Sequence, residues 1–320
     1  MRILITGGGG FLGQRLARRL ASDGAIAGQK IASLTLLDLS KPLEPAGAGF
    51  PVCCLASDLT APASLDTALA EPVDLLFHLA CLASGGAEAD FDAGMRVNLD
   101  ASRRLFEAVR QTGHRPRLVF TSSIAVFGAP FPAQIADDFH LTPLNSYGMQ
   151  KAVGELLLAD FSRREFFDGI AIRLPTIVVR PGKPNTAASS FFSGIIREPL
   201  HGQAAICPVP TTVRHWFASP DKAIDFLVHA ASLDSAALGG RRALTLPGLS
   251  LTVAEMIEAL ERVAGPEATA LISYQPNRQI ADIIANWPQD FLPRRALDLG
   301  FTPDTDFDSI IRAFQRDMLG

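Results

Sequence analysis

An α/β fold on a doubly wound parallel sheet, followed by a smaller C-terminal lobe, is the architecture this sequence predicts. Three observations carry it. Short apolar runs alternate with helical patterns through the first half of the chain. The first of those runs flows into four consecutive glycines, and the alternation breaks near residue 180, where Gly, Pro, Ser and Thr become frequent. Alternation of this kind implies parallel strands joined by right-handed helical crossovers.

The expected strands are RILIT from Arg2, SLTLLD from Ser33, PVCCLASD from Pro51, VDLLFHLA from Val73, PRLVFTSS from Pro116 and GIAIRLPTIVV from Gly169. Most are near-continuous apolar runs, the pattern of parallel strands covered on both faces. Between them lie helical segments: LGQRLARRLAS after the glycines, NLDASRRLFEAVRQTG from Asn98 and SYGMQKAVGELLLADFSRRE from Ser146. Past residue 180, DKAIDFLVHAAS from Asp221, VAEMIEALERVAG from Val253 and DTDFDSIIRAFQRDM from Asp304 read as amphipathic helices. The organisation expected is therefore a nucleotide-binding domain over 1–178 and a mainly substrate-binding lobe over 179–320, some of whose elements return to the first sheet.

A chain of 320 residues with 48% apolar side chains is long for one core and has ample material for two. The net charge of −4 argues against a nucleic-acid partner. No apolar run reaches membrane-spanning length, and the start is too short for a signal peptide. The four cysteines, Cys53, Cys54, Cys81 and Cys207, show no C-x-x-C or zinc spacing. They read as buried free thiols in a reducing compartment, so a soluble cytoplasmic protein without a metal site is expected.

Gly7, Gly10 and Gly13 fall in TGGGGFLG with G-x-x-G-x-x-G spacing, after a strand and opening a helix. One glycine permits the tight bend, one lets backbone approach a pyrophosphate, and one lets helix pack on strand. The helix N-terminus, at Phe11 and Leu12, then directs N–H groups and the positive dipole end at phosphates. This is the dinucleotide turn of a Rossmann-type sheet. Asp38 ends the second strand, where a carboxylate accepts from both adenosine ribose hydroxyls, which favours NAD over NADP. Asp58 and Leu59 close the third strand; they flank the adenine or simply cap the segment that follows.

Tyr147 and Lys151 stand four apart on a predicted helix, so their side chains share one face. A phenol with a pKa of about 10 is a poor base at neutral pH, and a neighbouring ammonium favours its phenolate. Such a pair takes a proton from a substrate hydroxyl while hydride leaves for a nicotinamide. Ser122 and Ser123 end the fifth strand at the sheet edge where open α/β folds bind ligands, with Ser123 able to hold the reacting oxygen. Each feature alone has an ordinary explanation, a chance Y-x-x-x-K or a turn-capping serine.

Together, TGGGGFLG, Asp38, Asp58, HLA at 78–80, VNLD at 97–100, TSSIAVFG at 121–128 and YGMQK at 147–151 resemble the extended short-chain dehydrogenase/reductase family, also called the NAD-dependent epimerase/dehydratase family. The resemblance implies that Ser123, Tyr147 and Lys151 form the catalytic triad and that Lys151 also binds the nicotinamide ribose. It places Leu79, Ala80, Asn98 and Thr176 beside the cofactor, and it implies a homodimer formed through the helices containing Asn98 and Tyr147.

The family includes enzymes that retain NADH and enzymes that release it. Nucleotide-sugar members usually carry N-x-Y-G-P-G after the sixth strand; here the chain reads PTIVVRPGKPN, with Ile124-Ala125 where dehydratases often place Asp-Glu. LPTIVVRPGKPN, ASSFFSGIIREPL, CPVPTTVRHWFASP and ASGGAEADFD instead resemble a sugar-acid dehydrogenase group, implying NAD-dependent oxidation of the C2 hydroxyl of a four-carbon sugar acid. The stretch from Arg173 to His215 holds five Lys/Arg and one acid, Glu198. A small carboxylate needs an Arg fork and hydroxyl partners. Arg180, Lys183, Arg214 and His215 are candidate cations, and Ser84, Ser123, Thr176 and Asn185 candidate polar partners, beside Tyr147. His215 has a second reading as a packing residue beside Trp216. The competing functions are a nucleotide-sugar epimerase that retains its NAD and a non-catalytic NAD sensor.

Overall fold

The computed structural model describes residues 1–61, 63–182 and 189–319. Two compact units emerge, each discontinuous in sequence: 1–126 with 145–173 and 224–245, and 127–144 with 174–223 and 246–320. They differ in outline from a single break after residue 178.

The first unit contains a seven-stranded sheet: β1 (Arg2–Thr6), β2 (Ser33–Asp38), β3 (Val52–Ala56), β4 (Leu75–His78), β5 (Arg117–Ser123), β6 (Asp168–Leu174) and β7 (Ala243–Thr245). Their order is β7-β6-β5-β4-β1-β2-β3, with parallel ladders at β1–β2, β1–β4, β2–β3, β4–β5 and β6–β7. The winding reverses at β1, whose neighbours are β2 on one side and β4 on the other. Crevices for ligands open at such a switch point, beyond the carboxyl ends of the strands. The glycine turn lies there.

Helix α1 (Phe11–Asp23) buries Leu16, Ala17, Leu20 and Ala21 and stops at Gly24, whose positive φ allows its N–H to reach the Leu20 carbonyl. Helix α2 (Ala101–Thr112) buries Ala101, Leu105, Phe106 and Val109 at helical spacing. It follows a π-helical turn over Met95–Asp100, where the sequence pattern suggests ordinary helix from Asn98 onward. Helix α3 (Ser146–Arg163) is started by Asn145, whose side chain accepts from the Gly148 N–H at 2.7 Å, and by Glu88, which accepts from the Ser146 N–H at 2.9 Å. Gly154 lets α3 press onto β5, since a Cβ there would lie 2.8 Å from Phe120. Leu4, Leu76, Leu118, Phe120, Leu105, Phe106, Leu158 and Phe167 form this unit's core.

The second unit holds a three-stranded sheet of Thr176–Ile177, Arg214–Ala218 and Leu249–Thr252. Phe217 of that sheet packs with Phe192, Ile195, Met256, Leu260, Phe307 and Ile310. The run GIAIRLPTIVV, expected as one strand, divides at Pro175. Its first half is β6 and its second half belongs to this other sheet. Proline has no N–H for a ladder, which explains the break.

All four cysteines are free, but only Cys207 is buried; Cys53 and Cys81 are exposed and Cys54 is intermediate. The expectation of buried thiols fails at Cys53 because β3 is the sheet's outer strand and none of its residues is fully buried. Among the described residues, no helix is long and apolar enough to cross a membrane.

Phe106 is fully buried, 5.3 Å from the Phe167 ring and 6.1 Å from the Phe120 ring. Phe106→Ala should lower unfolding stability by about 3–5 kcal/mol, read as a fall in the denaturation midpoint without change in slope.

Candidate active site

The site is built outward from β1. Gly7 has φ +76, and its N–H and that of Gly8 both donate to the Leu37 carbonyl, at 2.9 and 3.1 Å. A Cβ on Gly7 would lie 2.6 Å from the Ala80 nitrogen, and a Cβ on Gly13 would lie 2.1 Å from the Gly7 carbonyl oxygen. Both approaches are backbone to backbone, so neither position tolerates a side chain. Around Gly10 the space is more open, with only the Gly7 oxygen near, at 3.2 Å. Gly10 is the N-cap of α1, and no side chain caps that terminus, so the first-turn N–H groups at Phe11 and Leu12 remain directed outward from the helix start.

Asp38 ends β2 with one carboxylate oxygen accepting from the Gly9 N–H at 2.9 Å and the other from the Leu39 N–H at 2.7 Å. Two fixed donors hold it beside the turn, with lone pairs remaining for hydroxyl donors. Asp58 accepts from the Thr60 N–H at 2.8 Å and is exposed, while Leu59 is buried. Asp58 therefore serves at least as a turn cap.

Beyond β4 the chain passes Leu79 and Ala80, against which Gly7 packs. Asn98 is buried, and its carboxamide accepts from the Leu82 N–H at 2.7 Å and donates to the Leu82 carbonyl at 3.0 Å and to Gln150 at 2.7 Å. Asn98 thus holds the backbone after β4 from the π-helical turn. Ser84 begins the short helix Ser84–Ala89 and is partly exposed.

Of the three residues that the resemblance implies as a triad, Ser123 ends β5 and Tyr147 and Lys151 lie on α3. Ser123 is partly exposed, and its hydroxyl accepts from the Ala125 N–H at 3.1 Å. Tyr147 is partly buried on the first turn of α3. Lys151 is only 1% exposed. Its ammonium donates to the Thr121 carbonyl at 2.8 Å and lies 4.7 Å from the centre of the Phe120 ring and 5.7 Å from that of Tyr147. Burial pushes the Lys151 pKa down, opposed by the neighbouring Cys81 and Glu155. A cation held in a dry place beside a phenol favours the phenolate.

Within the second unit, Thr176 meets His215, hydroxyl to Nε2, at 2.6 Å. His215 is 1% exposed, stacked on Phe192 at 5.2 Å, and burial lowers its pKa to about 4. It is neutral at physiological pH and is not one of the cations it was counted among. The Arg214 guanidinium lies 3.2 Å from Glu255 and donates to the Ser250 carbonyl at 2.7 Å. Arg180 is exposed, with its Nε donating to the Ile177 carbonyl at 3.0 Å. Its backbone is fixed on both sides, the N–H donating to Ser193 at 3.1 Å and the carbonyl accepting from Arg197 at 2.8 Å. Lys183 and Asn185 lie outside the described residues.

The NAD dependent epimerase/dehydratase family model matches residues 3–236. The chain belongs to that family. Among curated relatives of this epimerase/dehydratase chain, it is 51% identical to "D-erythronate dehydrogenase" of Cupriavidus necator, covering 99% of this chain and 98% of that one. It is 42% identical to "D-erythronate dehydrogenase" of Haemophilus influenzae, covering 98% of each. A crystal structure described as the nucleoside-diphosphate-sugar epimerase from Agrobacterium tumefaciens superposes with TM-score 0.97 at 52% identity, over 100% of this chain and 95% of that one.

The family's cofactor is NAD, and the residues present fit it. The backbone cradle that excludes any Cβ at Gly7 and Gly13 suits a pyrophosphate, the uncapped start of α1 suits its charge, and Asp38 suits a ribose diol. Two buried groups beside these residues escaped the sequence reading. Glu155 repeats the four-residue spacing of Tyr147 and Lys151, the one signal that marked it. His78 lies between Thr6, at 2.6 Å from Nδ1, and Ser102, at 2.8 Å from Nε2; in sequence it stands at the head of the HLA motif with no role attached to it.

Gly13→Ala should abolish NAD binding in a calorimetric titration, because the turn must open to admit the methyl group. His78 gives a pH signature. Burial first, and the Lys151 charge second, lower its pKa from 6.5 to about 3. The unfolded chain then binds a proton that the folded chain refuses, so stability falls as pH drops from about 6.5 toward 3, by about 1.4 kcal/mol per pH unit. His78→Gln should make the loss of stability between pH 7 and pH 5 shallower, measured by urea denaturation.

Proposed function

We propose that this chain is an NAD-dependent dehydrogenase that oxidises the C2 hydroxyl of a four-carbon sugar acid, converting D-erythronate to 2-dehydro-D-erythronate. The observation that carries the reading is full-length identity of 51% and 42% to two proteins of that name. Ser123, Tyr147 and Lys151 all stand in this chain at one strand end and one helix face, which supports a catalytic rather than a sensing role.

In this reading Ser123 holds the substrate oxygen and Tyr147, as phenolate, takes its proton. NAD, when bound, supplies the hydride acceptor. Lys151 keeps its ammonium on the Thr121 carbonyl, where its charge favours the phenolate and its remaining protons can meet a ribose hydroxyl. Gly7, Gly10, Phe11, Leu12, Gly13, Asp38, Asp58, Leu59, Leu79 and Ala80 are assigned to the cofactor, with Asn98 acting through the Leu82 backbone it holds. Thr176, oriented by His215, is assigned to the cofactor as well. Arg180 is the favoured carboxylate partner, because it is exposed and its backbone is fixed by Ser193 and Arg197. Ser84 and Asn185 are assigned to the substrate hydroxyls. A homodimer in the cytoplasm completes the reading.

The 52% identity to a structure described as a nucleoside-diphosphate-sugar epimerase favours a second reading, in which the same cations grip a pyrophosphate and NAD stays bound. The two differ in net NADH. Purified protein given NAD and D-erythronate should produce NADH by absorbance, and Tyr147→Phe should lower kcat by about 100-fold or more. No NADH across four- to six-carbon sugar acids, with thermal stabilisation by UDP-sugars, would favour the epimerase.

A further inference from the structure

Three consecutive residues at the end of β5 are tied to three different partners. The Thr121 carbonyl accepts from Lys151 at 2.8 Å, the Ser122 hydroxyl donates to Glu155 at 2.5 Å, and the Ser123 hydroxyl accepts from the Ala125 N–H at 3.1 Å. The middle tie has an elaborate support. Glu155 is 4% exposed and receives a two-pronged contact from Arg173 of β6, Nε to Oε1 at 2.9 Å and Nη2 to Oε2 at 2.7 Å. Arg173 reaches on to Thr245 of β7 at 3.4 Å. One connected set of side chains therefore runs from β7 through β6 and α3 to the tip of β5.

The chemistry of this set is out of proportion to a packing role. A buried ion pair is a weak source of net stability, since desolvation offsets most of its attraction. What the pair does provide is a rigid acceptor for Ser122. The Thr121 carbonyl belongs to the planar peptide that ends at the Ser122 Cα, so anchoring the Ser122 side chain fixes the orientation of the carbonyl that Lys151 grips. It also fixes where the next residue, Ser123, presents its hydroxyl. On α3, Tyr147, Lys151 and Glu155 succeed one another at four-residue intervals on one face. One helix therefore sets the distance between the anchor of β5 and the residues that β5 must meet.

We propose that Glu155, clamped by Arg173, is a positioning residue for catalysis: through Ser122 it fixes the strand end that carries Ser123 and holds Lys151. This rests on the assignment of Ser123, Tyr147 and Lys151 made above. The charged and titratable groups that act on Lys151 are Tyr147 and Glu155 of α3, His78 of β4 and Cys81 beyond it, with Arg173 of β6 held on the Glu155 carboxylate. Arg173 offsets part of the Glu155 charge, and beside the carboxylate's remaining pull on Lys151 the contribution proposed here is one of geometry.

The test uses the full-length enzyme with NAD and D-erythronate. Ser122→Ala removes only the anchored hydroxyl. The double variant Glu155→Met with Arg173→Met removes the clamp while leaving no unpaired buried charge, so it keeps its fold. Both should retain NAD-dependent thermal stabilisation and keep KM for NAD and sugar acid within about twofold, while kcat falls by about 10- to 100-fold. Glu155→Gln, which still offers Ser122 an acceptor, should recover most of the kcat that Glu155→Ala loses. Wild-type kcat in Ser122→Ala, or kcat losses that only follow the folded fraction, would overturn the clamp alone. A wild-type protein that makes no NADH overturns the assignment beneath it as well.

Discussion

A lysine ammonium kept almost wholly out of water is the constraint on which the arrangement at the tip of β5 depends. Such a charge is costly to bury, and Lys151 meets the cost with the Thr121 carbonyl and the faces of Phe120 and Tyr147 rather than with a contacting carboxylate. A carboxylate in direct contact would weaken the positive field at Tyr147. The nearest acid on the same helix face, Glu155, is instead engaged by Arg173. The cation is thereby left to act on the phenol and on whatever binds beside it.

The same principle explains the cationic stretch between Arg173 and His215. By count it is five bases against one acid, yet Arg173 faces Glu155, Arg197 faces Glu198 and Arg214 faces Glu255. Two of those three acids lie outside the stretch, so a local tally overstates its charge. His215 contributes none, because burial keeps it neutral and turns it toward Thr176. Arg180 stands apart in being exposed while its backbone is fixed by Ser193 and Arg197. Fixing a cation's backbone lowers the entropy lost when its guanidinium engages a ligand.

Much of the fold was legible because its signals are local. Continuous apolar runs marked β1, β2, β4 and β5, and Gly7, Gly10 and Gly13 marked the switch point, since only glycine survives those backbone approaches. Tyr147 and Lys151 were legible from helical spacing. Less legible were features that depend on distant partners. Nothing local distinguishes Arg173 as the mate of Glu155, or His78 as the bridge between Thr6 and Ser102. Pro175 could have warned that GIAIRLPTIVV is two strands, but the apolar pattern on both sides outweighed it. The exposure of Cys53 followed from β3 being an outer strand, and strand order cannot be read from residue pattern.

The central claim is that hydride leaves C2 of a four-carbon sugar acid for good, rather than being held and returned. Following deuterium from C2-deuterated D-erythronate tests it most directly. Mass spectrometry of the reaction should find the label in released NADH, one equivalent for each 2-keto acid formed. Label found only in recovered or inverted sugar, with no deuterated NADH in solution, would contradict the account.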